Sequence, residues 1–350
     1  MAGVVASQDP RAPVVLMLET LAVAVCYHAA GRLGLLRNLI VEGAVVSPIW
    51  PPTGVAVASL LFFGLRCWVG IALGALSVLM TLTSLRWSSL GVLAGSTAAP
   101  VCGYLLLRRV GFRSDLARLR DGLALVFLCA LGAMLISSSV GSGLLVATSD
   151  LPGHDFWTVW LAWWVGDAMG VLIVTPLLLL VHRARPAMRW SRSVEAVVLA
   201  VVAGCSVPLA THGPLSLLFL VYPLLIWAAL RFQLAGSMLC ALFASVMATL
   251  AATDHVGSFD RLSSVGVMVK LQAFNGTMAL TALLLSAVIT EQRNTRRSVE
   301  RACQELVEVL EHLTAGDTAS NRAPRDEDGR QRDEDGRQRD EDGRQRDDDG

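Results

Sequence analysis

The chain has 350 residues, 54% of them apolar and only 17% charged, and its 29 Lys and Arg balance its 29 Asp and Glu. Soluble domains carry about 25% charged residues and nucleic-acid-binding proteins carry a basic excess, so this composition excludes both and points to a polytopic membrane protein. The seven cysteines fall singly, with no C-x-x-C or Cys/His spacing, so no metal, redox centre or cofactor is expected.

In chain order, Ala2 to Ala12 is polar, without a cleavable signal pattern, and the first apolar stretch contains Glu19. A spanning helix needs about 20 mostly apolar residues. Ten segments qualify, at roughly 13–31, 43–65, 67–85, 88–107, 121–148, 156–182, 194–211, 214–230, 233–253 and 266–290. The uncharged stretch 196–230 is too long for one helix, and the turn-like Thr211-His-Gly-Pro214 divides it. Eight spans, with one short pair re-entrant or interfacial, are the alternative. The expected fold class is all-α, a bundle of transmembrane helices in contact with the lipid bilayer.

With ten spans the two termini share a side, and loop charge chooses it. The even-numbered connections carry Arg66, Arg108, Arg109, Arg113, Arg118, Arg120, Arg183, Arg185, Arg189, Arg192 and Arg231. The odd-numbered ones carry only Arg32, Arg37, Arg86 and Arg261. Both termini are therefore expected in the cytoplasm.

Three segments stand out. In Val46–Gly54, Pro48, Pro51 and Pro52 remove three backbone donors, and Trp50, Thr53 and Gly54 surround them. Such backbone survives at membrane depth only when buried in protein or lining a cavity. The second is the run from Trp160 to Gly170, with Trp163, Trp164, Gly166 and Asp167, followed by Thr175 and Pro176. A carboxylate in a span costs about 2.5 kcal/mol or more unless it faces a partner or water, which makes Asp167 a site candidate. The third runs from Tyr222 to Phe232 and includes Trp227, Ala229 and Arg231. Arg231, Lys270 and His28 are the expected partners for Asp167. Glu19 and Glu42 read as membrane-edge charges, and Ser137 to Gly143 as a small-residue packing stripe.

Beyond residue 290 the pattern changes. Residues 291–314 read as a cytoplasmic helix with apolar residues at Val299, Ala302, Leu306, Val309 and Leu313, a short heptad seam suited to a homodimer. Residues 315–350 read as a disordered tail, since the Arg-Asp-Glu-Asp-Gly-Arg-Gln repeat from Arg325 has no apolar residue. Repetitive DNA of this kind slips during replication, so loss of an output domain is one expectation for the locus.

Together these motifs resemble the MASE1 family of bacterial inner-membrane sensor domains. The resemblance rests on Trp50 to Gly54, on Trp163, Trp164, Gly166, Asp167, Thr175 and Pro176, and on Trp227, Ala229, Arg231 and Phe232. Gly257 to Phe259 and Leu271 to Phe274 also fit. It covers about residues 15–290, within a sensor domain placed at 13–290. It departs at Gln233, where the family has glycine. The resemblance implies a non-enzymatic sensory module that signals through its C-terminal helix to a separate or lost cytoplasmic effector. That effector would be a kinase, a phosphatase or a cyclic-di-GMP enzyme. The residues singled out would line a polar cavity for a small ligand or a proton. The rival is a secondary transporter, which also uses broken helices and buried carboxylates, although no sequence counterpart of Trp50–Gly54 occurs in the second half. An enzyme finds no support in any Ser/His/Asp or paired-carboxylate spacing.

Overall fold

The computed structural model describes residues 12–36, 39–41, 44–82, 86–183, 193–213 and 217–320. Arg37, Glu42, Arg185, Arg189, Arg192, Pro214 and the charged repeat from Arg325 lie outside the described residues. Two units are distinguished, Met1–Glu291 and Gln292–Gly350.

Among the described residues of the first unit the regular elements are helices, apart from one antiparallel hairpin, β1 (Leu39–Val41) and β2 (Ala44–Val46), with Leu39 opposite Val46. Helix α1 (Ala12–Leu35) precedes the hairpin, and α2 (Pro51–Phe63) and α3 (Trp68–Leu82) follow it. Then come α4 (Trp87–Arg109), α5 (Leu119–Ala124) and α6 (Met134–Ala147), with a π-helical stretch Leu125–Ala133 joining the last two. Helix α7 (Phe156–Met169) passes through a π turn, Gly170–Val174, into α8 (Thr175–Arg183). The remaining helices are α9 (Ser193–His212), α10 (Val221–Thr253) and α11 (Ser264–Ser320).

Eight helical stretches among the described residues are long and apolar enough to cross a membrane. Two of them, Pro51–Leu82 and Leu218–Thr253, double back. In the first, a Cβ on Gly34 would meet Pro51, one on Gly70 would meet Thr20, and one on Gly74 would meet Tyr27. Helix α2 therefore runs against α1, and α3 runs with it. Gly64 makes the reversal at φ +75° and ψ −167°, a region open chiefly to glycine. In the second, a Cβ on Gly236 would lie 3.1 Å from the Ala228 oxygen. In a straight helix those residues stand about 12 Å apart, so α10 folds back at Gln233, where φ is +55° and ψ −139°. The ten expected segments and the eight long helical stretches thus describe one chain, with two short return helices. No loop punctuates either return, because one residue of positive φ turns each.

The connections sort by end. Arg86 pairs with Asp150 at 3.6 Å at one end. At the other, Arg183 donates to Ser114 at 3.3 Å, the Leu119 N–H donates to Glu291 at 2.8 Å, and Arg231 pairs with Glu195. The arginine-rich connections therefore share a face.

Helix α2 decides the interior. Thirteen residues span about 20 Å, less than the ~30 Å hydrocarbon layer, and every residue from Pro52 to Leu60 is buried. A helix apolar all round belongs inside a protein. Accordingly, Ala56 and Leu60 pack into a small core with Val23, Tyr27 and Ile71. Val57 joins the main core with Met134, Leu172 and Leu225.

In the second unit, Val299, Leu306 and Val309 are exposed, and Arg296 pairs with Glu300 one turn on. The side chain of Leu313 lies outside the described residues.

Candidate functional site

The N-terminus of α2 is the centre of the site. The first turn of any helix leaves N–H groups without partners, a severe cost at membrane depth. Pro51 and Pro52 have no N–H to leave, and the Thr53 N–H reaches the Trp50 carbonyl at 3.3 Å. Trp50 stays outside the helix, at φ −108° and ψ 86°, because proline disfavours helix in the residue ahead of it.

This end is fastened to the α7–α8 run. The Trp50 N–H donates to the Gly166 carbonyl at 2.9 Å. The Thr53 hydroxyl donates to Asp167 Oδ1 at 2.6 Å. The Thr175 hydroxyl donates to the Gly54 carbonyl at 3.1 Å. Between these bonds the two backbones touch: a Cβ on Gly170 would lie 2.0 Å from the Trp50 oxygen, and one on Gly54 would lie 2.2 Å from the Gly170 oxygen. Gly166 lies 10 residues after Phe156, about 15 Å along α7, so the joint sits well inside that helix and beside the last turn of α1, where Gly34 meets Pro51. A carboxylate at a helix N-terminus is favoured by the helix dipole, which accounts for the position of Asp167.

The π turn Gly170–Val174 begins three residues after Asp167. Pro176 explains it, since its ring would clash with the Leu172 carbonyl in a regular α-helix and a wider turn relieves the clash.

Asp167 is 2% exposed, and its second oxygen, Oδ2, is buried without a hydrogen-bond partner of ordinary geometry. Side-chain donors of Ser137 and Trp163 stand beside the carboxyl group. None of the three basic partners expected for Asp167 is there. Arg231 forms a two-pronged pair with Glu195, with Nε to Oε2 at 2.8 Å. Lys270 donates to the Ser258 carbonyl at 2.5 Å and lies over the Phe259 ring. His28 shares a hydrogen bond with Ser77 at 2.9 Å. Each is engaged with a partner of its own instead.

The structure thus brings together Trp50, Pro51, Pro52, Thr53, Gly54, Trp163, Gly166 and Asp167. It separates the rest. Trp164, one residue on from Trp163 and so about 100° around the helix, stacks on Trp160 and donates its indole N–H to the Leu131 carbonyl at 2.9 Å. Trp227 packs against the main core one turn before Arg231 on α10, away from the joint. His182 stacks on Phe62 at 4.2 Å between ring centres. The Ser137–Gly143 stripe is packing, with the Trp163 ring filling the space where Gly141 lacks a side chain.

A cavity of 140 Å³ lies against the joint. Tyr27, Ser47, Trp50, Trp163 and Gly166 form one side, and aliphatic side chains of α3 and α4 form the other. The Trp50 side chain stands beside the Tyr27 hydroxyl. A larger recess of 460 Å³ between α9 and residues 235–243 has aliphatic and phenylalanine walls and no charged side chain, so it lacks a polar anchor for a ligand.

Sequence reasoning missed Tyr27, and it placed Ser137 in a packing stripe and Gln272 in the Leu271–Phe274 run without giving either a role at the site. Tyr27 is one of three tyrosines in the chain, the only signal available for it. Gln272 on α11 is buried and donates to the Ala162 carbonyl of α7 at 2.9 Å, about one turn before Asp167.

A family model, MASE1, matches residues 20–293, most of the chain and all of the joint. The chain belongs to the MASE1 family. It is therefore a multi-pass membrane sensory domain. It is also similar to the probable diguanylate cyclase DgcE of Escherichia coli (strain K12), with 28% identity over 231 residues. That match covers 59% of this chain and 19% of the relative. The chain thus corresponds to about a fifth of that protein. No solved structure matches.

Proposed function

We propose that this domain senses a small ligand in the cavity beside Trp50 and Trp163, and that occupancy alters how α2 sits on Asp167. The observation that carries this is the Thr53–Asp167 hydrogen bond. It holds a buried half-helix against a carboxylate that the membrane interior otherwise penalises. Ground-state energy concentrated at one joint gives a ligand something to shift, because an equilibrium moves only as far as the ligand's affinities for its two states differ.

The output path is α11. Gln272 links it to α7 beside the joint, and Ser237 and Asn275 extend the link toward α10 through Ser286 at 2.5 Å and Ser245 at 2.9 Å. We infer a homodimer through the exposed Val299, Leu306 and Val309 face. Its signal would reach a cytoplasmic kinase, phosphatase or cyclic-di-GMP enzyme, with the chain itself non-catalytic. The similarity to a probable diguanylate cyclase supports the last of these effectors. The arginine-rich face would be cytoplasmic in a bacterial inner membrane, with both termini on that side.

Cys303, exposed on α11, provides the test. Oxidative cross-linking between copies is measured in membrane vesicles, with Cys303→Ser as the blank. Asp167→Asn should change the cross-linked fraction at least twofold at unchanged membrane level. An unchanged fraction sinks the sensory role of Asp167, and no Cys303-dependent cross-link at all sinks the dimer.

A transporter is the second reading, favoured by one observation: α1–α2–α3 and α9–α10 share a layout of helix, short return helix and parallel helix. Solute uptake by proteoliposomes, abolished in Asp167→Asn, would establish it.

A further inference from the structure

The cavity beside the joint carries a ligand class as well as a location. Three observations converge on it. First, none of the ion pairs among the described residues includes Asp167, and Arg231, Lys270 and His28 are engaged elsewhere. A buried carboxylate without a counter-charge is the costly half of an ion pair, and Oδ2 lacks even a hydrogen bond. Second, the cavity wall nearest that carboxylate is aromatic, made by Tyr27, Trp50 and Trp163. Third, Trp163 belongs to both features, since its side chain lines the cavity and stands beside the Asp167 carboxyl group.

We propose that the cavity binds a small organic cation, a primary or quaternary ammonium compound, which supplies the missing counter-charge to Asp167 across the Trp163 and Trp50 ring faces. Cation–π attraction suits such a wall, and Trp is its strongest partner. The low dielectric of the surroundings strengthens the attraction between the ammonium and the carboxylate even without direct contact. Ser47 and Ser96 add hydroxyls at the cavity wall for a ligand with a polar substituent. At 140 Å³ the space lies below the usual range of about 300–1,000 Å³ for drug-sized ligands, so a compact ammonium compound fits and a peptide does not. This assignment rests on the cavity being the sensory site and specifies what enters it.

The test uses the full chain in uncharged maltoside micelles, free of choline lipids, with choline as probe and its uncharged isostere 3,3-dimethylbutanol as control. Calorimetric titration should show saturable choline binding, with the isostere about tenfold weaker or more. Asp167→Asn should remove the difference between the two. Trp163→Leu, which keeps the carboxylate, should weaken choline about tenfold while leaving the elution profile and helicity unchanged, so the inference stays testable if Asp167→Asn fails to fold. Equal binding of choline and the isostere by the unaltered chain overturns the cation assignment but leaves a ligand cavity in place. No binding of choline overturns it as well. The sensory role of the joint stands or falls separately, on Cys303 cross-linking.

Discussion

Substituting alanine for Gly170 should dismantle the joint. Its Cβ would sit 2.0 Å from the Trp50 oxygen and 2.8 Å from the Trp50 carbonyl carbon. Both are backbone atoms of a chain pinned by prolines, and no rotamer can move them aside. Relief to an ordinary contact of 3.4 Å requires the two backbones to part by about 1.4 Å. The same movement would stretch the Thr53–Asp167 bond from 2.6 Å to about 4.0 Å, beyond hydrogen-bonding range. Overpacking of this kind costs about 1–3 kcal/mol, and a carboxylate stripped of its buried donor costs about 1–3 kcal/mol more. The expected loss is therefore about 2–6 kcal/mol. Gly204, on α9, has nothing within 4 Å of its Cβ position, so Gly204→Ala should be neutral or slightly stabilising. Thermal unfolding in detergent, followed by light scattering and helicity, compares the two with the parent. Equal midpoints for Gly170→Ala and Gly204→Ala would refute the close contact between α2 and the π turn.

Three further outcomes follow from the same geometry. Thr53→Val, of nearly the same shape, should lower stability by about 1–3 kcal/mol in denaturant titration because Asp167 loses its donor, whereas Thr53→Ser should retain most of it. Gln233→Gly should raise the unfolding midpoint, since a backbone at φ +55° and ψ −139° strains a side-chain-bearing residue by about 1–3 kcal/mol and the added chain entropy takes back about 1 kcal/mol at most. Gln272→Leu should leave binding in the cavity intact yet reduce the effect of Asp167→Asn on Cys303 cross-linking, because it removes the bond from α11 to the Ala162 carbonyl.

Much of the site was legible because it breaks the rules of a membrane span. Paired prolines, a buried carboxylate and a Thr-Pro step are each expensive in lipid, and their co-occurrence marked Trp50–Gly54 and Trp163–Asp167 before any contact was known. What the sequence withheld was partnership. Nothing in the residues themselves says that Arg231 turns to Glu195, because that depends on α10 reversing two residues later to lie beside α9. The reversal did leave a trace, since Gln233 stands where the MASE1 pattern has glycine. The trace marked a departure, and only the backbone showed that the position needs positive φ. Trp163 and Trp164 look equivalent in sequence but face different sides of α7. Tyr27 sits in an otherwise ordinary apolar helix, where one polar residue carries too little signal to be distinguished from a satisfied structural one, and the Leu271–Phe274 run marked Gln272 without saying what it touches.

The most direct measurement is a double-mutant cycle of Thr53→Val and Asp167→Asn, read by denaturant unfolding of the four proteins in one detergent. Two residues bonded across the joint should be non-additive, with the double variant more stable than the sum of the single losses predicts by about 1 kcal/mol or more. Additive losses would mean that the half-helix does not rest on Asp167, and the account of the joint would be wrong.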